Sequence, residues 1–178
     1  MALKSAPQSA TAAWIDALVR EHRAALLCYA RNLVHDDATA QDIVQDTFLR
    51  LCQSPPDPAF ARPWLFRVCR TRAIDWWRSH REHTLGSNTD EMPQTDFFER
   101  LPDPDPSPPE NLVRDETAAA LAQQIASLPP RQRELIRLKF QADLSYKEIA
   151  TVTGLTTSNV GFILHSALST LRRRATAL

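Results

Sequence analysis

Glycine is scarce, with three residues in a chain of 178. Turn-rich β architectures rely on glycine wherever φ must be positive. Its scarcity, with little β-branched alternation, points to a mostly helical protein. No apolar run reaches the roughly eighteen residues that a membrane-spanning helix requires. The opening MALKSAPQSATAAW lacks the unbroken apolar stretch of a secretory signal, so a cytoplasmic location is expected. Cysteine is equally thin. Cys28, Cys52 and Cys69 are odd in number, far apart and without a C-x-x-C pair, which argues against a disulfide framework or a zinc site. They are expected to be small core or half-buried residues. His80 and His83 lie near Cys69 but lack a fourth ligand, so no metal is expected. A phosphate-cradling glycine loop and a convergent nucleophile–base pair are also missing. Neither a catalytic role nor a cofactor nor a small-molecule substrate is therefore expected.

What is present is an uneven distribution of charge. Lysine plus arginine balance aspartate plus glutamate at 21 each, and the balance averages unlike segments. From Phe60 to His83 six arginines face two acids; from Thr84 to Glu110 seven acids face one arginine; from Arg131 onward eight basic residues face three acids. The order is basic, acidic, basic, which says more about partners than the total does. The acidic stretch also carries LPDPDPSPPE, where prolines remove backbone donors and hold the chain extended. It reads as a linker over residues 84–110. That leaves an N-terminal helical domain over 1–83 and a C-terminal one over 111–178.

The first lobe reads as four helices. Apolar residues recur at helical spacing through Trp14, Leu18, Leu26, Leu27, Leu33 and Val34, and again through Ile43, Val44, Phe48, Leu51 and Cys52. SPPDP at Ser54–Pro58 closes that second run. Pro63 suits the first turn of a helix from Trp64 to about Arg81. In the second lobe, helices are expected over ENLVRDETAAALAQQIASL, PPRQRELIRLKFQ and SYKEIATVTG, and from near Thr156 to Arg174. Ser145 and Glu148 have capping-box spacing.

SYKEIATVTGLTTSNVGFIL has the layout of a helix-turn-helix. Ala150 supplies a small residue at the helix crossing. Gly154 suits the tight turn, and Val160 packs back on the first helix. The second helix of such a motif lies in the DNA major groove. Its apolar stripe is Val160, Ile163, Leu164, Ala167 and Leu171. Ser158, Phe162, His165 and Ser169 point the other way, with Asn159 and Gly161 beside them. Phe162 is an exposed aromatic that could touch a thymine methyl group or meet a protein partner. Arg172, Arg173 and Arg174 suit phosphate contact.

With both lobes in view, the chain resembles the compact extracytoplasmic-function group of bacterial RNA polymerase sigma factors, over nearly everything from Ala13 to Arg174. ATAQDIVQDTFLRL is similar to the family's segment that docks on the polymerase β′ clamp. PWLFRVCRTRAIDWWRSHRE is similar to its promoter-melting, −10-reading helix. SLPPRQRELIRLKF with LSYKEIATVTGLTTSNV is similar to its C-terminal region, which binds the −35 element and the β flap. The resemblance implies two small all-α domains, joined by a linker that passes near the polymerase cleft. It assigns polymerase binding to Asp42, Gln45 and Asp46, and −10 contacts to Arg67, Arg70, Thr71, Ile74, Asp75 and Arg78. To −35 contacts it assigns Thr157, Ser158, Asn159, Phe162, His165, Arg172, Arg173 and Arg174. Core polymerase, promoter DNA and an anti-sigma factor are the implied partners. A monomer is expected until one of them is met.

Two departures stand out. Thr71 occupies a position where the family usually has asparagine, and Gly161-Phe162-Ile163 replaces residues that commonly include lysine and arginine. These predict an altered −10 preference and weaker or different −35 binding. A conventional helix-turn-helix regulator acting without polymerase is the competing expectation, and a DNA recombinase is a more distant one. Neither has a reason to carry QDIVQDTFLRL followed by an aromatic–arginine helix.

A helical wheel at about 100° per residue, with Leu65 at zero, sorts that aromatic helix. Trp76 falls at about 20°, beside Cys69 and Ala73, and is expected in the core. Trp77, at about 120°, sits on the border next to Arg70. Ile74, Arg67, Arg78 and Thr71 span roughly 180° to 240°, as the face toward DNA, with Asp75 beyond at about 280°. Arg72, at about 340°, lies within the apolar arc, so it must snorkel or find an acidic partner.

Overall fold

The computed structural model describes residues 8–85 and 116–175, with side chains described over 12–80 and 120–175. The chain divides into two compact units, Met1–Gly86 and Ser87–Leu178. The acidic linker expected at 84–110 falls almost wholly outside the described residues.

The first unit contains α1 (Gln8–Val34), α2 (Asp37–Gln53), a 3₁₀ turn at Pro58–Phe60 and α3 (Ala61–Leu85). Three α-helices therefore stand where four were expected. The stretch from Gln8 to Val34 holds neither proline nor glycine, so nothing interrupts it. α1 ends at His35, which takes the left-handed conformation at φ 57° and donates its N–H to the Arg31 carbonyl at 2.9 Å. Asp36 then caps α2, accepting the Thr39 N–H at 2.7 Å. The connection needs only two residues, and an Arg31–Asp37 ion pair of 2.7 Å bridges it.

α3 packs against both α1 and α2, which also pack on each other. This gives α3 two packing partners and a wide buried surface. Leu65, Phe66, Cys69, Arg70, Ala73 and Ile74 are all buried. On the wheel they fill an arc from about 0° to 180°, centred near 90°. The narrower arc expected from the sequence fits a helix packed on one side only. Two of the expected −10 contacts are corrected by this. Ile74 is fully buried and Arg70 is 3% exposed, so neither lies on the outer face.

The tryptophans are corrected as well. Trp76 is half-buried, not core. Its ring lies over His80, with centroids 4.1 Å apart, and meets Trp77 edge-on at 4.9 Å. Trp77 is the anchored one of the pair. Its indole N–H donates to the Leu33 carbonyl at 2.9 Å, satisfying one of the carbonyls that the end of α1 leaves without a helical partner. Among the cysteines only Cys69 is buried; Cys28 and Cys52 are exposed, against expectation. Burial pushes the Cys69 thiol up to about 12, which keeps it protonated and inert.

The second unit contains α4 (Glu116–Ala126), α5 (Pro130–Phe140), α6 (Tyr146–Thr153) and α7 (Thr157–Ala175). Leu128, Leu135, Leu138, Leu144, Ile149, Val160 and Leu164 form its core. The local signals in the sequence are realised. The Ser145 N–H donates to Glu148 at 2.7 Å and the Glu148 N–H donates back to the Ser145 hydroxyl at 3.3 Å. Gly154 ends α6 at φ 75° and donates its N–H to the Ala150 carbonyl at 2.9 Å. A threonine hydroxyl, that of Thr156, accepts the Asn159 N–H at 3.2 Å and caps α7. The helix-turn-helix is thus fixed by short-range chemistry on both sides of its turn.

Candidate nucleic-acid interface

In the first unit the outward strip of α3 lies opposite the centre of its buried arc. Around 270° on the same wheel stand Trp64, Arg67, Val68, Thr71 and Asp75. Together with Arg50 and Arg72 these residues line one groove. Arg67 and Asp75 are exposed, and Thr71 and Arg78 are half-buried. Of the six expected −10 residues, Arg67, Thr71 and Asp75 are brought together in this groove. Trp64, Val68 and Arg50 were missed, although the helical period alone puts Trp64 and Val68 on the strip once its centre is known. An indole beside guanidinium groups can stack an unpaired base while the cations track the backbone.

Thr71 donates its hydroxyl proton to the Arg67 carbonyl at 3.0 Å. Its donor is committed within the helix, so toward a ligand it offers only lone pairs. An asparagine in that place would present a donor and an acceptor together. The departure noted in the sequence therefore has a defined chemical content.

The docking face of α2 presents Asp42 and Gln45 exposed and Asp46 half-buried. One turn further on, Leu49 is 53% exposed, an apolar contact point that the sequence reading passed over. Asp46 is more than a surface charge. Its Oδ2 accepts from Arg50 Nε at 3.0 Å and from Arg72 Nε at 2.5 Å, and Arg72 also stands 3.7 Å from Asp75. This resolves the misplaced Arg72, which takes an acidic partner on the neighbouring helix. Burial pushes the Asp46 carboxyl up, but the hydrogen bonds and charges of Arg72 and Arg50 outweigh it and hold the group below the usual carboxylate range. One carboxylate thus links the α2 face to the rim of the α3 groove.

In the second unit, Thr157, Ser158, Asn159, Phe162, His165, Ser169, Arg172, Arg173 and Arg174 are all exposed on α7. Val160, Leu164 and Ala167 are buried on the opposite side, with Ile163 and Leu171 at the margins. α7 carries no acidic residue and ends in three arginines. Arg174 donates to the Ser127 hydroxyl just past the end of α4, so its charge is tethered at the edge of the unit. A polar, acid-free helix face closed by cations is chemically suited to a duplex groove flanked by phosphates.

Comparison with known proteins agrees with this geometry. Residues 18–83 match the family model for Sigma-70 region 2, and residues 118–171 match that for Sigma-70, region 4. The ECF RNA polymerase sigma factor SigL of Mycobacterium tuberculosis is 36% identical, over 97% of this chain and 94% of its own. The RNA polymerase sigma-E factor of Streptomyces coelicolor is 30% identical, over 89% of this chain and 84% of its own. Among solved structures, CnrH in complex with the cytosolic domain of CnrY superposes with a TM-score of 0.59 at 25% identity, covering 92% of this chain and 88% of that one. Bartonella quintana RpoE, solved with the anti-sigma factor NepR, shares the fold at a TM-score of 0.59 and 18% identity, over 89% and 94% of the two chains. The chain belongs to the extracytoplasmic-function family of RNA polymerase sigma factors.

Proposed function

We propose that this chain is a promoter-specificity subunit that binds core RNA polymerase and directs initiation, with no catalytic step of its own. The observation that carries the reading is the presence, within one family fold, of two separate exposed faces of the right chemistry. The outer strip of α3 suits unstacked bases of the −10 element, and the acid-free face of α7 suits the −35 duplex. Asp42, Gln45 and Asp46, with Leu49 beside them, form the polymerase-docking surface. For −10 recognition the assignment is narrowed to Arg67, Thr71, Asp75 and Arg78, with Trp64 as the stacking platform.

The protein works in the cytoplasm, where polymerase and chromosome lie. Among the described residues no helix is long and apolar enough to cross a membrane. Its activity is held by an anti-sigma factor, the kind of partner with which the similar Bartonella quintana RpoE was solved. The test is transcription of fragmented genomic DNA by core polymerase, with and without the chain, followed by mapping of transcript 5′ ends. A discrete set of chain-dependent start sites is expected. If every start site also appears with core enzyme alone, the reading fails and a polymerase-independent regulator takes its place.

A further inference from the structure

α7 presents an apolar ring where a DNA-reading helix is expected to present hydrogen-bonding groups. Phe162 is 72% exposed, the most exposed of the large hydrophobic residues among those described. Its neighbours on the helix surface, three or four positions away, are Ser158, Asn159, His165 and Ser166. A docking site for a protein partner groups several apolar residues around an anchor. Here the ring's neighbours along its own helix are all polar, on a helix with no acid and three terminal arginines. That setting complements a polyanion with an isolated apolar feature, which is what a thymine presents in the major groove through its 5-methyl group.

The residue before it sharpens the point. A Cβ on Gly161 would stand 3.6 Å and 3.9 Å from Cε2 and Cδ2 of Tyr146. The Tyr146 ring therefore lies against bare backbone at Gly161, where an added Cβ would meet it in ordinary van der Waals contact. Position 161 sends no side chain of its own toward the groove, which leaves Phe162 as the long side chain on that turn.

Resting on the reading above, we propose that Phe162 sets sequence preference at the −35 duplex by apolar contact with the 5-methyl group of one thymine. The probe is a random duplex pool, from which holoenzyme reconstituted with the full chain selects binders. Wild type is expected to enrich a thymine at one position, and Phe162→Ala to lose that enrichment. Replacing that thymine by deoxyuridine should weaken wild-type binding about 4-fold, the worth of one methyl group removed from water, and leave Phe162→Ala unchanged. Equal binding of the deoxyuridine duplex overturns the proposal, as does an unchanged enriched sequence in Phe162→Ala. The latter result would make the ring a protein contact instead. Enrichment of a sequence with no thymine refutes the role of Phe162 alone. Failure of wild-type holoenzyme to enrich any duplex refutes the sigma-factor reading on which it rests.

Discussion

The two units use the helices proposed to face DNA in opposite ways. α3 is enclosed by α1 and α2 and shows only a narrow outer strip, whereas α7 leans on its neighbours with one stripe and leaves a broad polar face in water. A helix packed on two sides must make its structural and its reading residues near neighbours in sequence. On α3, Ile74 is core and Asp75 is outside; Arg70 is core and Thr71 lines the groove. On α7 the same alternation recurs, with Asn159 exposed beside buried Val160 and His165 beside buried Leu164, but across a broader exposed face. The departures in this chain fit that asymmetry. The α3 departure is a single residue, while the α7 departure runs through Gly161, Phe162 and Ile163.

The largest expected effect tests this contrast directly. Ile74→Ala should cost about 2–5 kcal/mol through the cavity it leaves. Phe162→Ala should shift stability by less than about 0.5 kcal/mol. Denaturant unfolding of both variants measures the difference. Similar losses would mean that α3 is not the enclosed helix described above.

Next in size is the charge reversal of α2. Asp42→Arg with Asp46→Arg should weaken polymerase binding by roughly 100-fold or more, since it sets cations where an acidic face is required. The two positions differ in kind. Asp42→Arg alone should leave the fold untouched, whereas Asp46→Arg also removes the partner of Arg72. The folded-state pKa of Asp46 lies below its unfolded value. Its contribution to stability is therefore fully present above the ordinary carboxylate range and is lost as pH falls through the lowered folded value. Asp46→Asn should remove that part of the acid sensitivity of unfolding. An unaltered acid limb in the variant would place the sensitivity elsewhere.

A smaller effect concerns the α7 terminus. Replacing Arg172, Arg173 and Arg174 together by alanine should weaken duplex binding across sequences. The log–log salt slope should flatten by about one for each arginine that meets a phosphate. An unchanged slope would remove these residues from the phosphate contacts.

The smallest test compares two turns. Gly154 and His35 both end helices in the left-handed region, at φ 75° and 57°. The first turn has the residue that conformation favours and the second does not. His35→Gly should stabilise by up to about 1 kcal/mol, and Gly154→Ala should destabilise by about as much.

These contrasts also mark what could be read in the sequence. The Ser145–Glu148 box, the Gly154 turn, the Val160 stripe and the exposed polar side of α7 were legible because each depends on residues within two helical turns. The wide burial of α3 depends on how its long-range partners α1 and α2 lie around it, which no local period records. Ile74, Arg70 and Trp76 were misplaced for that one reason, and Trp64 and Val68 were overlooked for it. The correction leaves the helical wheel intact and moves the centre of its buried arc. Arg72 was legible as an anomaly, and the structure supplied Asp46 as its cause.

The most direct test of the account is to mix the purified chain with core RNA polymerase and measure the masses present. A single species with the mass of a one-to-one complex is predicted, lost in the Asp42→Arg, Asp46→Arg variant and retained in Phe162→Ala. Two separate species with the wild-type chain would contradict the account at its centre.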